Sequence, residues 1–250
     1  MTRAWAAGFG IWAPGYADAA AWVAARPDPA VIEPRAALLP SRLARRSSLL
    51  TRIAAEVLQQ AGSGVALPEV PTVYATAYGE TQTLGALLDS VFTDGTCSPA
   101  RFHHSVHNTA GGLLSIATVN RTFSTTLCAG TDTVAMGLLE GLGLLQQRGG
   151  EVIVIFADET PPVPFSREGF APAGAALRLS AQPVAGATQL RLRRAENEPK
   201  VVLRPAFATN PIAVSLALVE ALSLGRSGVF ALSAGECGWT LDLEPAGRAG

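Results

Sequence analysis

The stretch Asn108-Thr-Ala-Gly-Gly-Leu-Leu-Ser-Ile-Ala-Thr-Val119, followed by Thr122-Phe-Ser-Thr-Thr-Leu-Cys128, decides the fold. The first segment has no charged residue, which predicts a helix buried on most sides. The second is rich in Thr, with Phe123 and Leu127, and predicts a strand. Asp132 to Gln147 follows with one interior charge, Glu140, and with Gly137, Gly141 and Gly143 where other backbones could pack closely; it predicts a second central helix. Glu151-Val-Ile-Val-Ile-Phe-Ala-Asp158 is a near-continuous apolar strand, the kind covered on both faces of a parallel sheet. Together these segments imply an α/β fold, a layered mixed sheet with buried helices.

Upstream, residues 4–12 predict a strand and Asp18 to Arg26 a short helix. A proline-rich loop reaches Pro40. Ser41 is then a plausible N-cap for a helix whose stripe is Leu43, Leu50, Ile53, Ala54, Val57, Leu58 and Ala61, ending at Gly62. Val73 to Ala77 predicts a strand, and a helix follows to Phe92. Downstream, 175–180 and 189–193 alternate like a pair of antiparallel strands, with Leu190 and Leu192 on one side and Arg191 and Arg193 on the other. The tail offers a helix over 211–224 and strands at 228–232 and 239–243.

Bulk properties exclude several classes. A net charge of -1 removes long-range attraction to nucleic acid or anionic lipid. Arg121, Asp132 and Glu220 interrupt the longest apolar stretches, so no membrane span is expected. Cys97, Cys128 and Cys237 form neither a disulfide framework nor a metal knuckle, and a reducing cytoplasm is the expected location. No GxSxG elbow is present, and Gly8-Phe-Gly-Ile-Trp-Ala lacks the third glycine of a dinucleotide fingerprint, so it reads as a strand-end turn. His104 and His107 stand one helical turn apart beside His103, but polar packing is the expected role and no metal or other cofactor is expected.

Ser98-Pro-Ala-Arg-Phe-His-His-Ser-Val-His-Asn-Thr-Ala-Gly-Gly-Leu-Leu-Ser-Ile-Ala-Thr118 resembles the run that precedes the nucleophile in β-ketoacyl synthases, where Asn-x-x-Ala-Gly opens a buried helix. In that family the next strand delivers a cysteine to the N-terminus of a second buried helix, whose dipole and free amides stabilise a thiolate. The resemblance implies a thiolase-like half-fold over a single domain, 1–250, with 201–250 an unmatched C-terminal extension. Laid on the family pattern without gaps, the nucleophile position falls on Thr131, twenty-three residues after Asn108. A threonine hydroxyl with no adjacent base is a poor acyl acceptor. All three histidines precede Asn108, so the second-half histidines of active condensing enzymes have no counterpart.

The resemblance therefore implies a non-catalytic, chain-length-factor-like partner of an active ketosynthase, of the kind found beside aryl polyene synthases. Phe123, Thr125 and Leu127 are then expected at the dimer interface, and Asn108, Gly111, Gly112 and Met136 at the substrate. The expected partners are a ketosynthase subunit and an acyl carrier protein, the latter on a patch such as Arg191, Arg193 and Arg194. Two alternatives stay open: a condensing enzyme with Cys128 as acyl-accepting thiol and His107 as its base, and a homodimeric module that binds an acyl chain.

Overall fold

The structure is a computed structural model that describes residues 3–163, 165–166, 169–194, 201–232 and 238–246. In chain order its elements are β1 (Arg3–Trp12), α1 (Ala19–Val23), α2 (Ser41–Ala44), α3 (Leu49–Ala61), β2 (Thr72–Ala75), α4 (Thr81–Asp94), α5 (Pro99–Phe102) and α6 (Thr109–Ala117). Then come β3 (Ser124–Leu127), α7 (Thr133–Arg148), β4 (Glu151–Asp158), β5 (Ala173–Ser180), β6 (Thr188–Arg194), α8 (Ala213–Ser223), β7 (Gly228–Ala231) and β8 (Trp239–Glu244). The strands form one mixed sheet in the order β3-β2-β4-β5-β1-β6-β8-β7. β3, β2 and β4 run parallel, and every later neighbour is antiparallel.

Two cores lie on opposite faces of the sheet. One gathers Leu138, Leu142 and Leu145 of α7 with Leu216, Val219 and Leu222 of α8 against Val154, Phe156, Leu177 and Leu179. The other gathers Leu50, Ile53, Val57 and Leu58 of α3 with Ala110 and Leu114 of α6 against Ile153, Ile155 and Ala176. Alternate residues of β4 thus feed both cores, which is why its sequence is continuously apolar.

Four expectations are corrected. The helix expected from Ser41 is two helices: the Ser47 hydroxyl donates back to the Leu43 carbonyl at 2.9 Å, and Ser48, not Ser41, caps α3 by accepting from the Thr51 amide at 3.0 Å. β5 and β6 do not pair with each other, because β1 lies between them and pairs with both. Gly8 and Gly10 are no strand-end turn but lie within β1 where α3 crosses it. A Cβ at Gly8 would stand 2.6 Å from the Ala61 carbonyl, and one at Gly10 would stand 2.6 Å from Gln60 Cβ. Finally, α6 is not buried on most sides. Only Thr109, Ala110, Gly111 and Leu114 are buried, and Ile116 is 65% exposed.

The C-terminal part, which the family resemblance leaves unmatched, supplies α8, β7 and β8 to the same sheet, where its own sequence pattern expects a helix and two strands. Cys237 lies outside the described residues.

Candidate functional site

The C-terminal ends of the three parallel strands meet at one corner of the sheet. Thr76, just beyond β2, donates its amide to the Leu127 carbonyl at 3.1 Å and its hydroxyl to Asp158 Oδ1 at 2.7 Å. Asp158 also accepts from the amides of Ala77 (2.7 Å) and Tyr78 (3.1 Å). Burial pushes its carboxyl up to about 6, against the pull of these three donors. Asp158 therefore holds the turn after β2 in place. Within that turn Gly79 has φ +62, and a Cβ there would meet the His107 ring at 3.4 Å, so glycine suits both the backbone and the imidazole resting on it.

His107 Nε2 lies 2.7 Å from Cys128 Sγ. Cys128 follows β3 directly, and both residues are exposed. Although both side chains reach solvent, partial desolvation of the ring lowers the His107 pKa, whereas partial desolvation, and then the Asp158 charge, raises that of the Cys128 thiol. Both shifts favour the neutral pair over thiolate and imidazolium. A nucleophilic cysteine needs the opposite electrostatics.

Thr131 is exposed in the single 3₁₀ turn Gly130–Asp132 that leads into α7. The turn is tied by Thr133, whose hydroxyl accepts from the Ala129 amide (3.2 Å) and donates to the Gly130 carbonyl (2.7 Å). Thr131 thus occupies a helix-entry position, and Cys128 does not.

Of the four expected substrate residues, Asn108, Gly111 and Gly112 share the first turn of α6, where the Gly112 amide donates to the Asn108 carbonyl at 2.9 Å, and Met136 lies apart. Asn108 is exposed at the head of α6, and Gly111 packs against β3 with its missing Cβ 3.1 Å from Thr126 Oγ1. Gly112 faces open space, and Met136 packs into the α7 core on the other side of the sheet. The histidines separate as well: His107 meets Cys128, while His104 lines a cavity of about 490 Å³ with Arg45, Arg46 and Arg101. Among the described residues no group of three or more His, Cys, Asp or Glu could hold a metal ion, and no helix is long and apolar enough to cross a membrane. Of the basic patch, Arg193 pairs with Asp242 at 2.8 Å and Arg194 stacks over Trp239.

Sequence reasoning missed the carboxyl cluster beneath this corner. Glu80 accepts from Ser48 (2.8 Å), Thr51 (3.0 Å) and Thr83 (3.2 Å), and Glu159 is buried beside it. The available signal was Asp158-Glu159 ending an otherwise apolar strand.

β3 is the edge of the sheet, paired with β2 alone. Phe123, just before it, is 36% exposed under the Arg148 guanidinium, while Thr125 and Leu127 are half-buried. Of the fourteen exposed large hydrophobics among the described residues, seven lie between Leu88 and Phe123, including Phe92 (85%), Phe102 (55%) and Val119 (68%). A monomer rarely leaves a large contiguous apolar patch bare, and an open strand edge is a ready site for pairing.

The model of the β-ketoacyl synthase N-terminal domain matches residues 17–240. No curated protein matches the sequence. Among solved structures, a chain from the complex of a ketosynthase with its chain length factor from Xenorhabdus doucetiae has a TM-score of 0.76 at 22% identity, covering 97% of this chain and 99% of that one. A chain of a type II polyketide ketosynthase in complex with its acyl carrier protein gives 0.72 at 12% identity, covering 98% and 99%. The ishigamide ketosynthase/chain length factor gives 0.59 at 16% identity, covering 78% and 68%. With its family model spanning most of its length and its mixed sheet matching the thiolase-like ketosynthase fold, the chain belongs to the β-ketoacyl synthase N-terminal-domain family.

Proposed function

We propose that this chain is a non-catalytic, chain-length-factor-like subunit that pairs with an active ketosynthase in acyl or polyene chain building. The observation that carries this reading is the open β3 edge, with exposed Phe123 beside it and the bare apolar side of α6 next to it. A partner strand at β3 would satisfy the free backbone groups, and its flanking elements would cover Ile116, Val119 and Phe123. The hydroxyl of Thr131 at the entry to α7, in place of a thiol, agrees with a subunit that takes no acyl group. Two of the similar structures are described as pairs of a ketosynthase and a chain length factor, which supports the same assignment, and a cytoplasmic location accords with it.

The experiment is co-expression with a full-length ketosynthase from the same organism and tandem purification. An equimolar complex is expected, with acyl groups from carrier thioesters found on the ketosynthase only. A chain that elutes as a homodimer indifferent to the synthase contradicts the proposal.

One observation favours a second reading. The 2.7 Å contact between His107 and Cys128 is that of a base touching a thiol, as an acyl-accepting enzyme requires. Mass spectrometry after incubation with acyl carrier thioesters separates the two: an adduct that disappears in Cys128→Ala establishes the enzyme. The neutral pair and its exposed position predict that no adduct forms.

A further inference from the structure

Four polar side chains are sealed beneath the α4 end of the apolar face. Tyr74 on β2, Glu80 at the head of α4, and Asp158 and Glu159 at the end of β4 are each more than nine-tenths buried. Asp158 has its three donors, and Glu80 its three hydroxyls. Glu159 receives the Leu50 amide, yet its Oε1 is buried with no hydrogen-bond partner, and the Tyr74 hydroxyl is buried with Thr76 as its polar neighbour. The charges of Glu80, Asp158 and Glu159 all bear on that hydroxyl, so it faces the cluster.

Little positive charge compensates. Arg52 of α3 acts on Glu159 but is paired with Glu33 at 2.9 Å. His104 acts on Glu80 from the α5–α6 connection, beside Arg45, Arg46 and Arg101 across the cavity that Glu80 helps to line. Cys128 stands on the β3 side of Asp158. The charges of Glu80 and Asp158 both raise Glu159, so ionising all three in this low-dielectric interior is opposed by their mutual repulsion.

We propose that this cluster is a proton-operated latch. A proton on Glu159 lets the heads of α3 and α4 stay tied through Glu80, and its loss sets Glu159 against Glu80 and loosens the head of α4. Burial, and then the charges of Glu80 and Asp158, push Glu159 up to about 7, so the latch works close to neutrality. The element it holds leads directly into the α4–α6 segment that carries the apolar face. The inference rests on the partner reading only for its consequence, a face better ordered for association below neutral pH than above it.

Hydrogen exchange on the isolated full chain tests the latch, with rates corrected for intrinsic pH dependence and α7 as internal reference. Between about pH 5.5 and about pH 8.5, protection of residues 78–94 is expected to fall at least fivefold, roughly, relative to α7. Glu159→Gln keeps a neutral side chain and is expected to retain the acid-side protection throughout. Constant protection in the wild type, or a variant that follows the wild-type profile, overturns the latch. Should Glu159→Gln not fold, carboxyl carbon NMR of the wild type decides. A Glu159 midpoint near 7 supports the latch, and one near the ordinary 4.5 overturns it. A chain that shows the latch but binds no ketosynthase refutes the partner reading and leaves the latch standing.

Discussion

Helices α6 and α7 flank the same strand and are both poor in charge, yet the fold treats them differently. α7 buries nine residues, among them Val134, Leu138, Leu142 and Leu145, beneath the sheet. α6 buries four and leaves Ile116 exposed, with exposed Val119 just beyond its end, beside the β3 edge that pairs on one side only among the described residues. Apolar composition reports that a surface is to be covered; it does not report by which chain. For α7 the cover is this chain's own β2, β4 and β5. For α6 half of the cover is missing, and the partner proposal supplies it.

The largest effect should come from the covered helix. Leu138→Ala is expected to cost about 3 kcal/mol of stability in denaturant unfolding, through lost burial and the cavity left behind. A value below about 1 kcal/mol would mean that the α7 core is loose, and the contrast with α6 would collapse. On the bare helix the same kind of damage should appear only in association. Ile116→Asp with Val119→Asp is expected to leave unfolding of the isolated chain within about 0.5 kcal/mol. The same pair should weaken binding to the ketosynthase about a hundredfold in titration calorimetry, roughly 2.7 kcal/mol. Destabilisation of the free chain with intact binding would reverse the assignment of the two faces.

A third expectation uses pH to sharpen the contrast, because the ground beneath α4 is titratable whereas the buried side of α7 is not. Asp158 and Glu159 have folded pKa values raised to about 6 and about 7 from 3.8 and 4.5. The folded state therefore binds protons more tightly than the unfolded state. Their contribution to stability is fully present below about pH 4 and is lost as pH rises through 6 and 7. Raising pH from about 5 to about 8 should lower unfolding free energy, read as a fall in the denaturant midpoint. A rise in stability over that window contradicts the burial of these carboxyls. The smallest expected effect is at Cys128. Cys128→Ala should change stability by less than about 0.5 kcal/mol and leave the complex's condensing activity unaltered in a thioester assay.

The parts legible in sequence are those where local pattern and tertiary fate agree. The apolar run 151–158 is β4 at the same bounds, and the charge-poor 132–147 segment is α7 to within a residue. Where side chains redirect the backbone, the reading fails: Ser47 and Ser48 break a stripe that hydrophobic period alone carries through. Topology also lies beyond local pattern, as β1 between β5 and β6 illustrates, since pairing partners are distant in sequence. At the site, Thr131 is put forward by the register of the family resemblance, and what the fold adds is its exposed place in the turn that leads into α7. The contact of His107 with Cys128 is the pairing that the condensing-enzyme alternative expects, whereas the gathering of Glu80 with Asp158 and Glu159 depends on the turn after β2, which no spacing encodes. Asn108, Gly111, Gly112 and Met136 follow one another along the chain but end on two faces of the sheet.

Amide exchange of the chain with and without a full-length ketosynthase tests the central claim most directly. The predicted result is about tenfold or greater slowing over 123–127 and 113–119 on adding the synthase, with α7 unchanged. Exchange in those two segments that is indifferent to a synthase at saturating concentration would contradict it.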